Sequence, residues 1–185
     1  MASLVLFTIF HGILTLIALG IFLYALAMLL SNFTDSIYVP SGTKTVKAIL
    51  DIVHPKRDSI FMDIGCGDGK VALHAARAFG TQSIGIDLNP ILIAWACGRA
   101  RMTKTRNAQF RIQNAFSTDL SRADYIYVFL LPKFIERLTP KFNRELKPGA
   151  MVISHGFEIK TWEQNLARTV PGKPFSTYIY RVPRA

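Results

Sequence analysis

The segment MDIGCGDGK, residues 62–70, decides the fold: a short apolar run closes on Asp63 and Ile64, and Gly65, Gly67 and Gly69 follow at alternate positions before a helical pattern begins. Glycines so spaced let the chain turn tightly and let its backbone approach a ligand with no Cβ in the way. The resulting D-x-G-x-G-x-G differs from the dinucleotide spacing G-x-G-x-x-G. It also lacks the lysine-hydroxyl pair of a phosphate-binding loop.

Outward from this turn, short β-branched runs alternate with longer helical patterns. Strands are expected at 59–64, 83–87, 109–113, 124–131 and within GAMVISHGF (149–157), and helices at 43–53, 71–79, 90–102 and 133–146, the last interrupted by Pro140. Proline opens the helix at Pro90 and ends the one before Pro55. Buried strands that read as continuous hydrophobic runs and alternate with helices imply a parallel sheet covered on both faces. After the fifth strand the pattern changes: NLARTV (165–170), the turn PGKP and FSTYIYRV (175–182) read as two strands joined by a proline-glycine turn. The expectation is an α/β, Rossmann-like, seven-stranded domain over residues 43–185.

In front of it, Leu4 to Leu30 contains no Lys, Arg, Asp or Glu. At ~1.5 Å per residue such a run spans the ~30 Å hydrocarbon layer, and it is too long, with too uncharged a start, for a secretory signal peptide. Residues 1–31 are therefore expected to form one uncleaved transmembrane anchor, and 32–42, which include Tyr38-Val39-Pro40, a linker. The net charge of +10 sits behind the anchor, and Lys44, Lys47, Lys56 and Arg57 follow it closely. Positive charge on that side predicts a cytoplasmic domain on a single-pass protein, as at a bacterial inner membrane. A tethered basic domain favours the lipid bilayer and membrane proteins as partners over nucleic acid. Cys66 and Cys97 are the only cysteines, and neither has the neighbours of a redox pair or a metal site, so no metal is expected.

Asp87 ends the second strand about 22 residues beyond Gly65, where this topology sets an acid against ribose hydroxyls. Asp63 and Asp68 add negative charge that would repel a phosphate but suits an ammonium and a sulfonium. A nucleoside carrying a charged amino acid, S-adenosylmethionine, satisfies both conditions. Its contacts are assigned to Asp63, Gly65, Cys66, Gly67, Asp87 and Asn114, the last standing just after the third strand, where proteins that bind this nucleoside commonly present a polar side chain to the adenine amino group. Asn89 starts the next helix and reads either as its N-cap or as a further ligand contact. The strand end DYIYVFLLP (124–132) forms the acceptor side and is apolar, which suits an amine that must lose its proton. His155 and Glu158 are expected to face solvent.

With the glycine turn, Asp87, FLLP (129–132) and YVPS (38–41) in view, the chain resembles the ATP synthase c-subunit and adenine nucleotide translocase lysine methyltransferases, a family with a class I methyltransferase core. The resemblance implies N-methylation of a lysine in a membrane protein, with acceptor positioning by Tyr38, Phe129 and Pro132. Asn114-Ala115-Phe116 stands where the family has D-L-W. Two other readings stay open: methylation of a lipid head group or quinone, and a non-catalytic scaffold that binds the cofactor.

Overall fold

A computed structural model describes residues 1–32 and 42–183, so Tyr38 and the rest of the Y-V-P element lie outside the described residues. The first helix, α1 (Ala2–Asn32), includes Ala2–Leu26, a run with a mean hydropathy of 2.4 that is long and apolar enough to cross a membrane. The domain then opens with α2 (Thr43–Val53), whose Val46, Ile49 and Leu50 recur at helical spacing and are all buried. It closes at His54, left-handed at φ 48°, just ahead of Pro55.

Seven strands follow: β1 (Ile60–Ile64), β2 (Gln82–Asp87), β3 (Ala108–Ile112), β4 (Tyr125–Val128), β5 (Met151–His155), β6 (Leu166–Val170) and β7 (Thr177–Arg181). They form one sheet in the order β3-β2-β1-β4-β5-β7-β6, parallel except for β7, which runs against both its neighbours. This is the Rossmann-like sheet of class I methyltransferases. The order reverses between β1 and β4, and a parallel sheet opens its ligand crevice at the carboxyl ends of the strands flanking such a switch.

Between the strands run α3 (Lys70–Phe79), α4 (Pro90–Met102) and α5 (Pro132–Glu145). Each has a local reason for its ends. Gly69 and Gly80 take left-handed backbone at either end of α3, Asn89 caps α4 by accepting from the amides of Ile91 and Leu92, and Pro90 and Pro132 fill the first turns of α4 and α5. One sheet face packs Phe61, Tyr125 and Ile153 against Leu50 and Val71 from α2 and α3. The other sets Ile126, Val128 and Val152 against Ile135, Leu138 and Phe142 of α5, with Trp162 from a 3-10 turn at Lys160–Asn165. Phe61 and Phe142 are wholly removed from water, and burial on that scale stabilises by about 1.5–3 kcal/mol per side chain.

Three expectations need correction. The fourth helix is not interrupted at Pro140: α5 runs through it, because Ile135, Leu138 and Phe142 hold both sides of the residue to the core while Pro140 and Glu136 stay exposed, leaving the freed Glu136 carbonyl at the surface. The strand expected at 124–131 stops at Val128, and Phe129 to Leu131 leave the sheet to enter α5. Nor is the sheet covered throughout. Residues 113–124 form no helix, so the face of β2 and β3 turned away from α4 is left with exposed Gln82, Gln109 and Arg111.

Candidate active site

The glycine turn joins β1 to α3 and is held by its own backbone. The amides of Gly65 and Cys66 both donate to the Ile86 carbonyl, at 2.9 and 3.0 Å, and that of Gly69 donates to the Cys66 carbonyl at 2.9 Å. Gly65, Gly67 and Gly69 have φ of 74°, 51° and 73°, the left-handed region that glycine enters without strain. At Gly65 space as well as backbone demands glycine: a Cβ would stand 2.7 Å from Cδ2 of Leu130.

Asp87 ties the turn to β2. One carboxylate oxygen accepts from the Gly67 amide at 2.9 Å and the other from the Asn89 amide at 2.8 Å. A carboxylate oxygen accepts more than one hydrogen bond, so Asp87 can fix the loop and still receive hydroxyls from a sugar. With Gly65, Leu88, Asn114, Leu130 and Phe134 it lines a small cleft at the carboxyl edge of the sheet. Asn114 is exposed, and its Oδ1 already accepts from the Phe116 amide at 2.9 Å.

Asp63 is buried beneath the turn, where its carboxylate accepts from the Ala72 amide at 3.3 Å. Burial pushes its pKa from 3.8 to about 8; the Ala72 hydrogen bond opposes the rise and nearby Asp87 and Asp68 add to it. Burial likewise pushes the Cys66 thiol well above its ordinary value, with Asp63 and Asp87 adding, so it stays a thiol. Asp68 departs from expectation. Its carboxylate meets Arg99 at 2.6 Å and Lys70 at 3.8 Å, so its charge is spent bracing α3 to α4. The negative field left for a cationic ligand comes from Asp87, and Asp63, protonated below about pH 8, adds to it only where a cation beside it draws its pKa back down.

The ANTKMT methyltransferase domain matches residues 63–166, from the acid of the glycine turn to the start of β6. The chain belongs to the ANTKMT methyltransferase family. It is 38% identical to a protein-lysine N-methyltransferase of Saccharolobus islandicus over 127 residues, 68% of this chain and 79% of that one. It is 32% identical to the ATP synthase c-subunit lysine N-methyltransferase of Xenopus laevis, covering 68% of this chain but only 55% of the relative. Among solved structures, an RNA methyltransferase from Salinibacter ruber in complex with S-adenosyl-L-homocysteine superposes with a TM-score of 0.75 at 28% identity, over 80% of this chain and 95% of that one. The protein is an S-adenosylmethionine-dependent methyltransferase. A glycine cradle without room for side chains, the carboxyls of Asp63 and Asp87 and a flanking cleft suit such a donor.

On the other side of the switch point the methyltransferase is built from rings. Phe129, just past β4, stands 4.6 Å from the His155 ring and 5.3 Å from that of Phe175, centroid to centroid. Gly156, at φ 92°, allows this approach, since a Cβ there would lie 2.8 Å from the Phe129 ring. Pro132, also assigned to the acceptor side, is the exposed first residue of α5.

His155 reverses its expectation. It is buried rather than facing solvent, its Nδ1 lies 2.8 Å from Oγ1 of Thr177, and loss of hydration lowers its pKa below the ordinary 6.5. Glu158 is exposed, as expected. His155 and Phe175 meet because β5 and β7 pair antiparallel, His155 opposite Thr177. Separated by about 20 residues, they carry no local signal of the encounter.

Proposed function

We propose that this methyltransferase transfers a methyl group to the side-chain nitrogen of a lysine in a membrane protein, and that α1 anchors it as a single-pass protein with its catalytic domain in the cytoplasm, as at a bacterial inner membrane. The observation that carries this reading is the pairing of an apolar, ring-lined acceptor side with relatives named as protein-lysine N-methyltransferases. The 25-residue apolar run in α1 supports the membrane placement. So does the positive charge that follows it at Lys44, Lys47, Lys56 and Arg57.

The donor supplies an electrophilic methyl carbon, so the protein needs chiefly to align the acceptor and keep water out. Gly65, Cys66 and Gly67 offer backbone to the donor, Asp87 its carboxylate to the ribose and Asn114 its amide to the adenine, while Asp63 meets the amino acid end and ionises as the positive charge there lowers its pKa. Phe129, Pro132 and Tyr38 position the acceptor. A lysine ammonium entering between such rings loses hydration, which lowers its pKa from ~10.4, so that it gives its proton to water and the free amine takes the methyl carbon as the bond to sulfur breaks and S-adenosylhomocysteine leaves.

The test is transfer of label. The purified chain is incubated with tritiated S-adenosylmethionine and membranes from a strain lacking it, and protein, lipid and RNA are then separated. Label should appear in protein and be recovered as N-methyl-lysine after hydrolysis. Label confined to the lipid extract would move the case to head-group or quinone methylation, label in RNA would align the chain with the Salinibacter enzyme, and donor binding without transfer would leave a scaffold.

A further inference from the structure

Helix α4 is apolar on two faces. Leu92, Ile93 and Ala96 point into the domain and are buried, as a helix on a sheet requires. On the outward side, Ile91, Trp95, Gly98 and Met102 fall at helical spacing along one stripe. Trp95 is 63% exposed and Met102 84%, and the position of Gly98 opens on empty space. Its neighbour α3 packs on the same sheet face and turns a charged Arg77 outward instead. The stripe continues past the N-terminus of α4 to Leu88, 42% exposed on the rim of the donor cleft, and Ile112, 60% exposed, ends β3 at the same edge of the sheet.

Beside the stripe, Arg101, Lys104, Arg106 and Arg111 line a groove between the end of α4 and β3 that has no acidic residue in its lining. All four are exposed, and none joins an ion pair among the described residues. Exposed tryptophan and methionine flanked by unpaired cations are the composition of a surface that lies in the head-group layer of an anionic bilayer, with the rings at the acyl boundary and the cations on the phosphates. Helix α1, the candidate span, approaches α4 within the described residues. A second copy of the chain is a poor occupant, since it would bring like-charged rims together.

We propose that the outward face of α4 and the basic edge beside β3 dock on an anionic lipid surface, which turns the rim of the donor cleft toward the bilayer. The proposal rests on the anchored reading above and says which side of the domain meets the membrane. Docking at this face brings an acceptor lysine near the head groups within reach of the site.

The experiment uses the full chain reconstituted in phosphatidylcholine vesicles, with or without phosphatidylglycerol, whose acyl chains carry bromine near the head group. The emission difference between the wild type and Trp95→Phe isolates Trp95, because the other tryptophan, Trp162, is buried. Resistance to alkaline carbonate extraction reports separately whether α1 is inserted. Bromine should quench Trp95 in anionic vesicles. The combined variant Arg101→Gln, Lys104→Gln, Arg106→Gln should lower the ratio of docked to undocked protein by on the order of 100-fold.

A chain that resists carbonate while Trp95 stays open to aqueous iodide and untouched by bromine would overturn the proposal and leave the anchor standing. Trp95 shielded from iodide without vesicles, or only on addition of RNA, would also overturn it, in favour of a second copy or nucleic acid. Quenching confined to anionic vesicles in a chain that carbonate removes would uphold docking and sink the anchor.

Discussion

The two sides of the switch point are built from different materials. On the β1–β2 side, Gly65, Cys66, Gly67 and Asp87 form a net of backbone hydrogen bonds closed by one carboxylate. On the β4–β5 side, Phe129, His155 and Phe175 meet ring against ring. Polar groups with fixed direction suit a donor whose sugar, base and amino acid must each be recognised. Rings exclude water without demanding one hydrogen-bond pattern, which suits the deprotonation of an amine. Under the proposed reaction, recognition and desolvation are divided between two strand pairs, and the division can be broken from either side.

The largest effect is expected at Gly65→Val. Its φ of 74° and the 2.7 Å approach of Leu130 leave a β-branched residue neither backbone nor space, so donor binding should vanish in calorimetry and the melting temperature should fall. Next comes Phe129→Leu, which keeps an apolar side chain but removes the ring. Activity toward the lysine acceptor should fall about tenfold in kcat/KM, equivalent to roughly 1.4 kcal/mol of alignment and desolvation, with donor affinity unchanged. Equal loss of donor affinity would show that the two sides are not separate.

The glycine turn was legible in the sequence because it is local. The glycines and the strands flanking them lie within a few tens of residues, and their spacing reports the turn directly. The order of elements likewise carried the fold. Contacts made at a distance were not legible. Asp68 reads as a charge for the ligand until Arg99, 31 residues on, is found against it. His155 reads as a solvent-facing residue until the antiparallel return of β7 lays Thr177 and Phe175 over it. Pro140 misled for the opposite reason: its local preference is real, but packing on both sides of it outweighs the lost hydrogen bond.

Asp63 on one side and His155 on the other are both buried, and the two should drive stability in opposite directions with pH. The carboxyl of Asp63 is raised from 3.8 to about 8, so its contribution is full below pH 3.8 and is lost as pH rises toward 8. The imidazole of His155 is lowered from 6.5, so its contribution is present above that pH and is lost as pH falls below it. Melting curves of Asp63→Asn should flatten the decline on the alkaline side, and those of His155→Phe the decline on the acid side. A bound cationic donor should lower the Asp63 pKa and reduce the alkaline decline in the wild type. The smallest effect is expected at Asn114→Ala, about threefold weaker donor binding by calorimetry, since one neutral hydrogen bond is worth roughly 0.5–1.5 kcal/mol and its Oδ1 is already engaged locally.

Asp87 tests the account most directly, because a single carboxylate is held to fix the glycine turn and to face the sugar. S-adenosylhomocysteine titrated calorimetrically into the full-length wild type should give a saturable heat. Asp87→Ala, with a cooperative melting transition retained, should weaken that binding by about 100-fold or more, the loss of two charge-assisted hydrogen bonds. A folded Asp87→Ala protein that binds the compound as tightly as the wild type would contradict the assignment of this site.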